Sequence, residues 1–368
     1  MKYGIITHYD VHNHGAVLQL NALVLALRKR YGVEAQALQF DKNYDFMGRE
    51  LKAKYDISFR SINIYLDYLR KYGIKRTLFN YKKRRSLETF KAENKLVGPY
   101  YTECGELDGV IIGSDEVFAL HTGPTPVFFG HACPSGHIFS YAASFGPTTL
   151  GDVERLHCRA FVAGGIAAME GVSVRDQNSF DICRKLTGQV PTLVCDPVIL
   201  YGYAHEIANL PRPDLPPYLV VYAYDQNMND TEEIKAVRDY AARHDLKIVS
   251  PGFYHPWADY NVNIDPVGLL GYFRHASCVV TDTFHGSVMS LITGRDLAVR
   301  LRGNSNKLRN LLQEYGLEER ILSSGRNLES VFSNPVGFNQ VNAEISRRRN
   351  ASYDFLDRMI QKKGERHL

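Results

Sequence analysis

Residues 279–290 read VVTDTFHGSVMS, and this stretch decides the fold. Val279 and Val280 favour a buried strand, Asp282 and Thr283 break the apolar run, and a second apolar run with helical character starts between Phe284 and Gly286. Strand, short polar loop and helix in that order form half of a βαβ unit. In open parallel sheets, ligands bind beyond the carboxyl ends of the strands, where such loops lead into helices. His285 lies at that turn. A phosphate at the start of the helix would meet free backbone N–H groups and the positive end of the dipole, and His285 could donate a hydrogen bond or a proton to it. The alternative is an ordinary capped loop with a satisfied histidine.

Working outward, short apolar runs alternate with amphipathic segments along the chain, the pattern of an α/β protein. YGIIT (3–7), AQALQF (35–40), GVIIG (109–113), IFSYAAS (138–144), VSVR (172–175) and TLVCD (192–196) read as strands. A helix is predicted from Gly15 to Arg30, with Gly32 as its stop. A proline cluster, LPRPDLPP, ends the segment 201–217 and marks the domain boundary. The alternation then resumes with YLVVYAY (218–224), a helix opened by the capping-box spacing of Asp230 and Glu233, KIVS (247–250), a helix over 267–276 and DLAVRL (296–301). These elements predict two Rossmann-like domains facing across a cleft, over residues 1–200 and 218–334. A C-terminal helix over 335–368 is expected to pack across both with Phe338, Val341, Ile345, Phe355, Leu356 and Met359.

At 368 residues the chain has the length of two domains, and no apolar run reaches the roughly 20 residues of a membrane span. MKYGIIT runs straight into a strand without the pattern of a secretory signal, so a cytoplasmic location is expected. The six cysteines are scattered without a CxxC pair, which points to neither zinc nor disulfides. A net charge of +4 is too small to imply nucleic acid. Its distribution is uneven: in a helical excursion over 57–95, Arg70, Lys71, Lys75, Arg76 and Lys82 to Arg85 interleave with Tyr65, Tyr68, Tyr72, Phe79 and Tyr81. This segment reads either as a solvated hairpin or as a surface that docks on anionic lipid head groups at the inner face of a membrane.

Four places at strand ends can carry chemistry. The loop in HYDVHNHGAVLQ (8–19) offers Asp10, Asn13, His14 and Gly15 for contact with an acceptor; its histidines lack a ligand triad for a metal. In IIGSDEVF (111–118), Ser114 and Asp115 could bind sugar hydroxyls, with Asp115 as a base or, alternatively, a helix cap. Arg175 ends an apolar strand and needs an anion, which could be a ligand or, internally, Asp176 or Asp196. The fourth is Thr283, Phe284, His285 and Gly286, with Lys307 in GNSNKLRN near the same edge.

Taken in order, HNHGAVLQ, GSDEV, SVRD, CDPV, TDTFHG and the downstream lysine resemble the polysaccharide pyruvyl transferase family over most of the chain. The resemblance implies a glycosyltransferase-B-like fold and transfer of a pyruvyl group from phosphoenolpyruvate, a co-substrate, to a sugar as a cyclic ketal. It implies that Arg175, His285 and Lys307 hold the donor. The sequence departs from the family at Thr283, where many members carry arginine, and at Phe284, where they carry leucine; Arg300, Arg302 or Lys307 could supply the missing charge.

The chemistry needs one acid, anion clamps and a base, roles that fall to His285, to Arg175 with Lys307, and to Asp115. The acceptor is then a sugar of a capsule or exopolysaccharide repeat unit, carried on a polyprenyl diphosphate if the basic segment meets a membrane. A nucleotide-sugar glycosyltransferase, or a noncatalytic sugar-phosphate-binding protein, would use the same scaffold.

Overall fold

A computed structural model of the chain describes residues 1–41, 61–121, 125–303 and 305–364, and its side chains except at 61–72 and 361–364. The side chains of Tyr65, Tyr68, Arg70, Lys71 and Tyr72 of the basic excursion, and its start at 57–60, lie outside what is described. The first sheet is fully parallel, with strands β1 (Lys2–Ile6), β2 (Glu34–Gln39), β3 (Val97–Tyr100), β4 (Gly109–Ile112) and β5 (Ile138–Ser140) in the order β3-β2-β1-β4-β5. A short pair, β6 (Ser173–Val174) and β7 (Thr192–Leu193), continues beside β5 through the Ala143–Val174 bridge.

The second sheet repeats the plan. Its strands β8 (Tyr218–Tyr222), β9 (Lys247–Pro251), β10 (Tyr260–Val262), β11 (Val279–Thr281) and β12 (Leu297–Val299) run in the order β10-β9-β8-β11-β12, again all parallel. The central strands YLVVY and VVT are buried along their whole length, as parallel strands covered on both faces must be. The chain is therefore α/β with two Rossmann-like halves, the glycosyltransferase-B-like arrangement. In each sheet the strand order reverses once, between β1 and β4 and between β8 and β11. Those two points are where such sheets open a crevice for a ligand.

The helices are α1 (His14–Tyr31), α2 (Ser61–Glu93), α3 (Leu150–Arg155), α4 (Arg159–Ala167), α5 (Gln177–Thr187), α6 (Pro197–Tyr201), α7 (Ala204–Asn209), α8 (Thr231–Arg243), α9 (Gly268–His275), α10 (Phe284–Thr293), α11 (Asn306–Glu314), α12 (Leu328–Phe332) and α13 (Phe338–Gly364). Helix α1 ends as its sequence predicts: Gly32 takes the left-handed conformation at φ 62° and its N–H closes on Arg28. Thirteen of its residues are buried, so α1 is a central helix, wrapped on nearly all sides.

Segment 201–217 is not a plain linker. Its first half forms α7, and Tyr203 is buried with its hydroxyl between the Leu18 carbonyl (2.9 Å) and Asn21 (2.7 Å). At the next helix Asp230 caps as expected, but the Glu233 carboxylate binds Arg300 and Arg302 instead of reaching back to the cap. Helix α13 buries Val341, Ile345, Phe355, Leu356 and Met359, each worth about 1.5–3 kcal/mol of apolar burial. It touches both halves: Asp357 pairs with Arg30 of α1 (2.8 Å), and Arg348 with Glu314 of α11 (3.1 Å). Among the described residues no helix is long and apolar enough to cross a membrane.

Candidate active site

Both switch points deliver their residues to one place. From the first half, β4 runs into Gly113, Ser114 and Asp115. Gly113 has φ 121°, and a β-carbon there would stand 2.2 Å from the Tyr141 carbonyl, so the chain can turn here only without a side chain. Asp115 itself sits at φ 80°, held by the Asp115–Ala143 bridge and a hydrogen bond from the Ser144 N–H to its carbonyl. A non-glycine residue in that region is strained, and the surrounding ladder holds it there.

Arg175 follows β6 and is 1% exposed at its side chain. Its guanidinium donates to Asp115 (2.8 Å), Asp196 (3.0 Å) and the Gln19 side-chain oxygen (2.8 Å). Pairing of β6 with β7 brings Asp196 alongside, where its other oxygen caps α6 at Val198. Asp176, the other internal partner considered, instead caps α5 through Ser179 and accepts from Ser144.

From the second half come Phe284, His285 and Lys307. The Phe284 ring lies under the Arg175 guanidinium at 4.6 Å and faces the Lys307 ammonium at 5.8 Å, so it is a platform shared by two cations. Lys307 also forms an ion pair with Glu116 across the interface. The His285 imidazole packs on Gly15, with Nε2 3.4 Å from the Gln19 oxygen and 3.9 Å from Asp196.

Burial alone would raise the Asp115 pKa, but Arg175, then Lys307 and His285, outweigh it and hold the carboxyl well below the usual carboxylate range. A carboxylate held so firmly is a poor base; its firm role is to orient Arg175. Burial is the largest influence on His285 and lowers its pKa, against the opposing pull of Asp196 and Asp115, so the imidazole is neutral at pH 7. Lys307 is kept protonated because Glu116 and Asp115 overcome the cost of its burial.

Several predicted contacts fall elsewhere. Thr283 caps α10: its hydroxyl accepts from the Gly286 N–H (2.9 Å), so that N–H is already used and not open to a phosphate. His14 is fully buried and its Nε2 donates to the Ile264 carbonyl (2.8 Å), pinning α1 to the second half where the sequence reading had it touching an acceptor. Asn13 caps α1 at the Gly15 N–H. Gly15 serves the close approach of His285 in place of a ligand, Ser114 is buried, and Asp10 is exposed on the loop. Asp115 caps no helix, since residues 116–121 directly after it form none. Of the candidates for the missing arginine, Arg300 and Arg302 are bound to Glu233, and Arg302 also to Asp282; only Lys307 reaches the cluster.

Gln19 was not singled out from the sequence. Its signal is position: it stands four residues after Gly15, on the same face of α1, and is one of two amides inside an otherwise apolar helix. Among the described residues no three acidic, histidine or cysteine side chains gather as metal ligands.

The scaffold is shared with solved structures. The chain aligns over 98% of its length with 95% of UDP-N-acetylglucosamine 2-epimerase from Rickettsia bellii, at 10% identity and a TM-score of 0.53. It aligns over 99% with 97% of a putative UDP-N-acetylglucosamine 2-epimerase from Listeria monocytogenes, at 14% identity and a TM-score of 0.51. At such identities the likeness is one of fold. No curated protein sequence matches the chain. The profile described as Polysaccharide pyruvyl transferase matches residues 13–296, a span from the α1 cap, through Asp115, Arg175 and Asp196, to just past α10. With Arg175 and His285 brought together inside that span, the chain belongs to the polysaccharide pyruvyl transferase family.

Proposed function

We propose that the protein transfers the enolpyruvyl group of phosphoenolpyruvate to two hydroxyls of a sugar in a polysaccharide precursor, forming a cyclic ketal and releasing phosphate. The observation that carries this reading is that Arg175, bonded to Asp115 at the first switch point, meets His285 from the second, with Lys307 beside them across the Phe284 ring. The reaction needs the donor methylene protonated at C3, one sugar oxygen bonded to C2, and the C2–O bond to phosphate broken. The second sugar oxygen then bonds to C2, and each hydroxyl gives up its proton.

In this scheme Lys307 is the mobile clamp, exchanging Glu116 for a donor anion, because both partners are partly exposed. Arg175 is too enclosed by Asp115, Asp196 and Gln19 to exchange easily and serves as a fixed anchor that holds these carboxylates and the Phe284 ring in place. A phosphate dianion beside His285 would raise the imidazole pKa against its burial, so donor binding charges the acid that protonates C3.

The acceptor is presented at an anionic lipid surface. In the second part of α2, Ile74, Leu78 and Tyr81 are 73%, 51% and 64% exposed, and exposed Lys75, Lys82, Arg84 and Arg85 surround them. An apolar stripe edged with cations suits such a surface.

The test is mass spectrometry of oligosaccharide-lipid precursors after incubation with phosphoenolpyruvate, seeking pyruvyl addition. His285→Ala should abolish phosphate release while remaining folded; full release in that variant would overturn the assignment. Stabilisation by uridine or guanosine diphosphate but not by phosphoenolpyruvate would favour a nucleotide-sugar glycosyltransferase instead.

A further inference from the structure

Among the described residues, Lys83 is a largely buried cation with no anion paired to it. It is 8% exposed, on the inner face of α2, and among the described residues nothing hydrogen-bonds or ion-pairs with its ammonium, which lies 4.6 Å from the centroid of the Phe253 ring. Asp225 is the acid whose field reaches it, and Asp225 is already engaged by Arg76 (3.4 Å), the Asn80 amide (2.9 Å) and the Tyr254 N–H (2.9 Å). Enclosing most of a lysine side chain with no anion beside its ammonium is unfavourable, and a methionine would fill the same space without that cost.

The surroundings say what the charge is for. Phe253 follows β9 and Tyr224 follows β8, so both stand at the carboxyl edge of the second sheet, the edge that also carries His285. Their rings lie 5.4 Å apart at 73°, and Tyr224 is 46% exposed. Tyr224 stands close enough to Lys307 and Asp115 to feel both charges. The result is an aromatic ledge with Lys83 at one end and the Lys307 cluster at the other. A sugar ring can lie on an exposed tyrosine, and an ammonium is a point charge suited to phosphate.

We propose that Lys83 binds a phosphate of the acceptor, a sugar carried on a diphosphate whose ring rests on Tyr224 with its hydroxyls toward His285. The proposal rests on the function given above for the role of acceptor, but the phosphate site is tested apart from it.

The probe is inorganic pyrophosphate, titrated calorimetrically in saturating phosphoenolpyruvate. Lys83→Met should weaken pyrophosphate about ten-fold or more while leaving the affinity for phosphoenolpyruvate unchanged. In the wild-type protein, pyrophosphate should protect Lys83 from acetylation, read by peptide mass spectrometry, which does not depend on a variant folding. Equal pyrophosphate affinity in Lys83→Met, or no protection, would overturn the proposal. A uridine diphosphate sugar and a farnesyl diphosphate sugar, compared in wild type and Lys83→Met, identify the carrier as the one whose binding falls; a loss for neither overturns it. If no pyruvyl product forms with any acceptor while pyrophosphate binding still depends on Lys83, the catalytic reading fails and this site stands.

Discussion

Gly15 and His285 are in such close contact that a β-carbon at position 15 would stand 2.4 Å from Cγ of the imidazole and 2.5 Å from Nδ1. The contact joins the first turn of α1 to the first turn of α10, so it couples the two halves at the residue proposed to act as the acid. Gly15→Ala must push the ring aside, because α1 is held by the Asn13 cap and the His14 bond to Ile264. The expected cost is about 1–3 kcal/mol of stability from overpacking. Phosphate release from phosphoenolpyruvate should fall about 100-fold, as a displacement near 1 Å can cause. Urea unfolding and a phosphate assay measure the two effects; full activity in this variant would mean the observed ring position is not the working one.

Arg175→Met removes the cation from between Asp115 and Asp196. Two enclosed carboxylates are then left without their partner, at an expected cost of about 3–5 kcal/mol at pH 7. The sign with pH follows from Asp115, whose folded-state pKa is depressed mainly against the effect of its own burial by Arg175. Its contribution is present above the ordinary carboxylate value of about 3.9 and is lost as pH falls through the folded value, so the gap between wild type and variant should narrow below about pH 4. Lys307→Met is expected to behave differently. Its ion pair with Glu116 is partly exposed, so stability should change by less than about 1 kcal/mol while the KM for phosphoenolpyruvate rises. Equal losses of stability in the two variants would contradict the division into fixed anchor and mobile clamp.

The fold was legible because its signals are local. Runs such as YLVVY and VVT favour buried strands by their β-branched composition, and Gly32 favours the left-handed stop of α1 at its own position. The site was legible as far as charge type and strand end allow, which brought forward Asp115, Arg175, His285 and Lys307. What sequence reading missed depends on pairings between distant segments. Nothing local to SVRD tells that Arg175 lies against Asp115 from β4 and Gln19 from α1, 60 and 156 residues away. His14 and Asn13 looked open to a ligand because their loop is polar, yet one is spent on a carbonyl 250 residues on and the other on its own helix. The basic run of α2 reads as one surface in sequence, but helical periodicity divides it: Phe79, Lys83, Leu87 and Phe90 face inward, while Ile74, Leu78, Tyr81, Lys82 and Arg85 face out.

His14 and His255 make acid a destabilising condition. Burial is the main cause in both and lowers each pKa to about 4, so both are neutral in the folded protein at pH 7. The unfolded chain takes up these protons near the ordinary value of 6.5, so the stability they contribute is full above that value and is lost as pH falls from 6.5 toward 4. Between pH 7 and pH 5 each should cost about 2 kcal/mol. His14→Gln keeps a donor for the Ile264 carbonyl and removes the titration, so its urea midpoint should change less with pH than that of the wild type. Parallel pH profiles for the two proteins would show that His14 does not remain neutral in the fold.

The outward stripe of α2 carries a last expectation, in which two forces can be separated. If it docks on an anionic lipid surface, Lys82→Glu with Arg85→Glu should weaken binding to phosphatidylglycerol vesicles by about 2 kcal/mol or more, since each basic residue near such a surface adds roughly 1 kcal/mol. That loss should shrink with added salt, because the Debye length falls from about 10 Å at 0.1 M to about 3 Å at 1 M. Leu78→Ser with Tyr81→Ser should weaken binding by a similar amount that salt does not relieve, because it removes apolar contact and leaves the charge in place. None of these side chains is buried, so the unfolding midpoint should stay within about 0.5 kcal/mol of wild type in both variants. Vesicle sedimentation at two salt concentrations measures both contributions, and unchanged binding in both pairs would leave α2 as a solvated helix whose inner face alone has work to do.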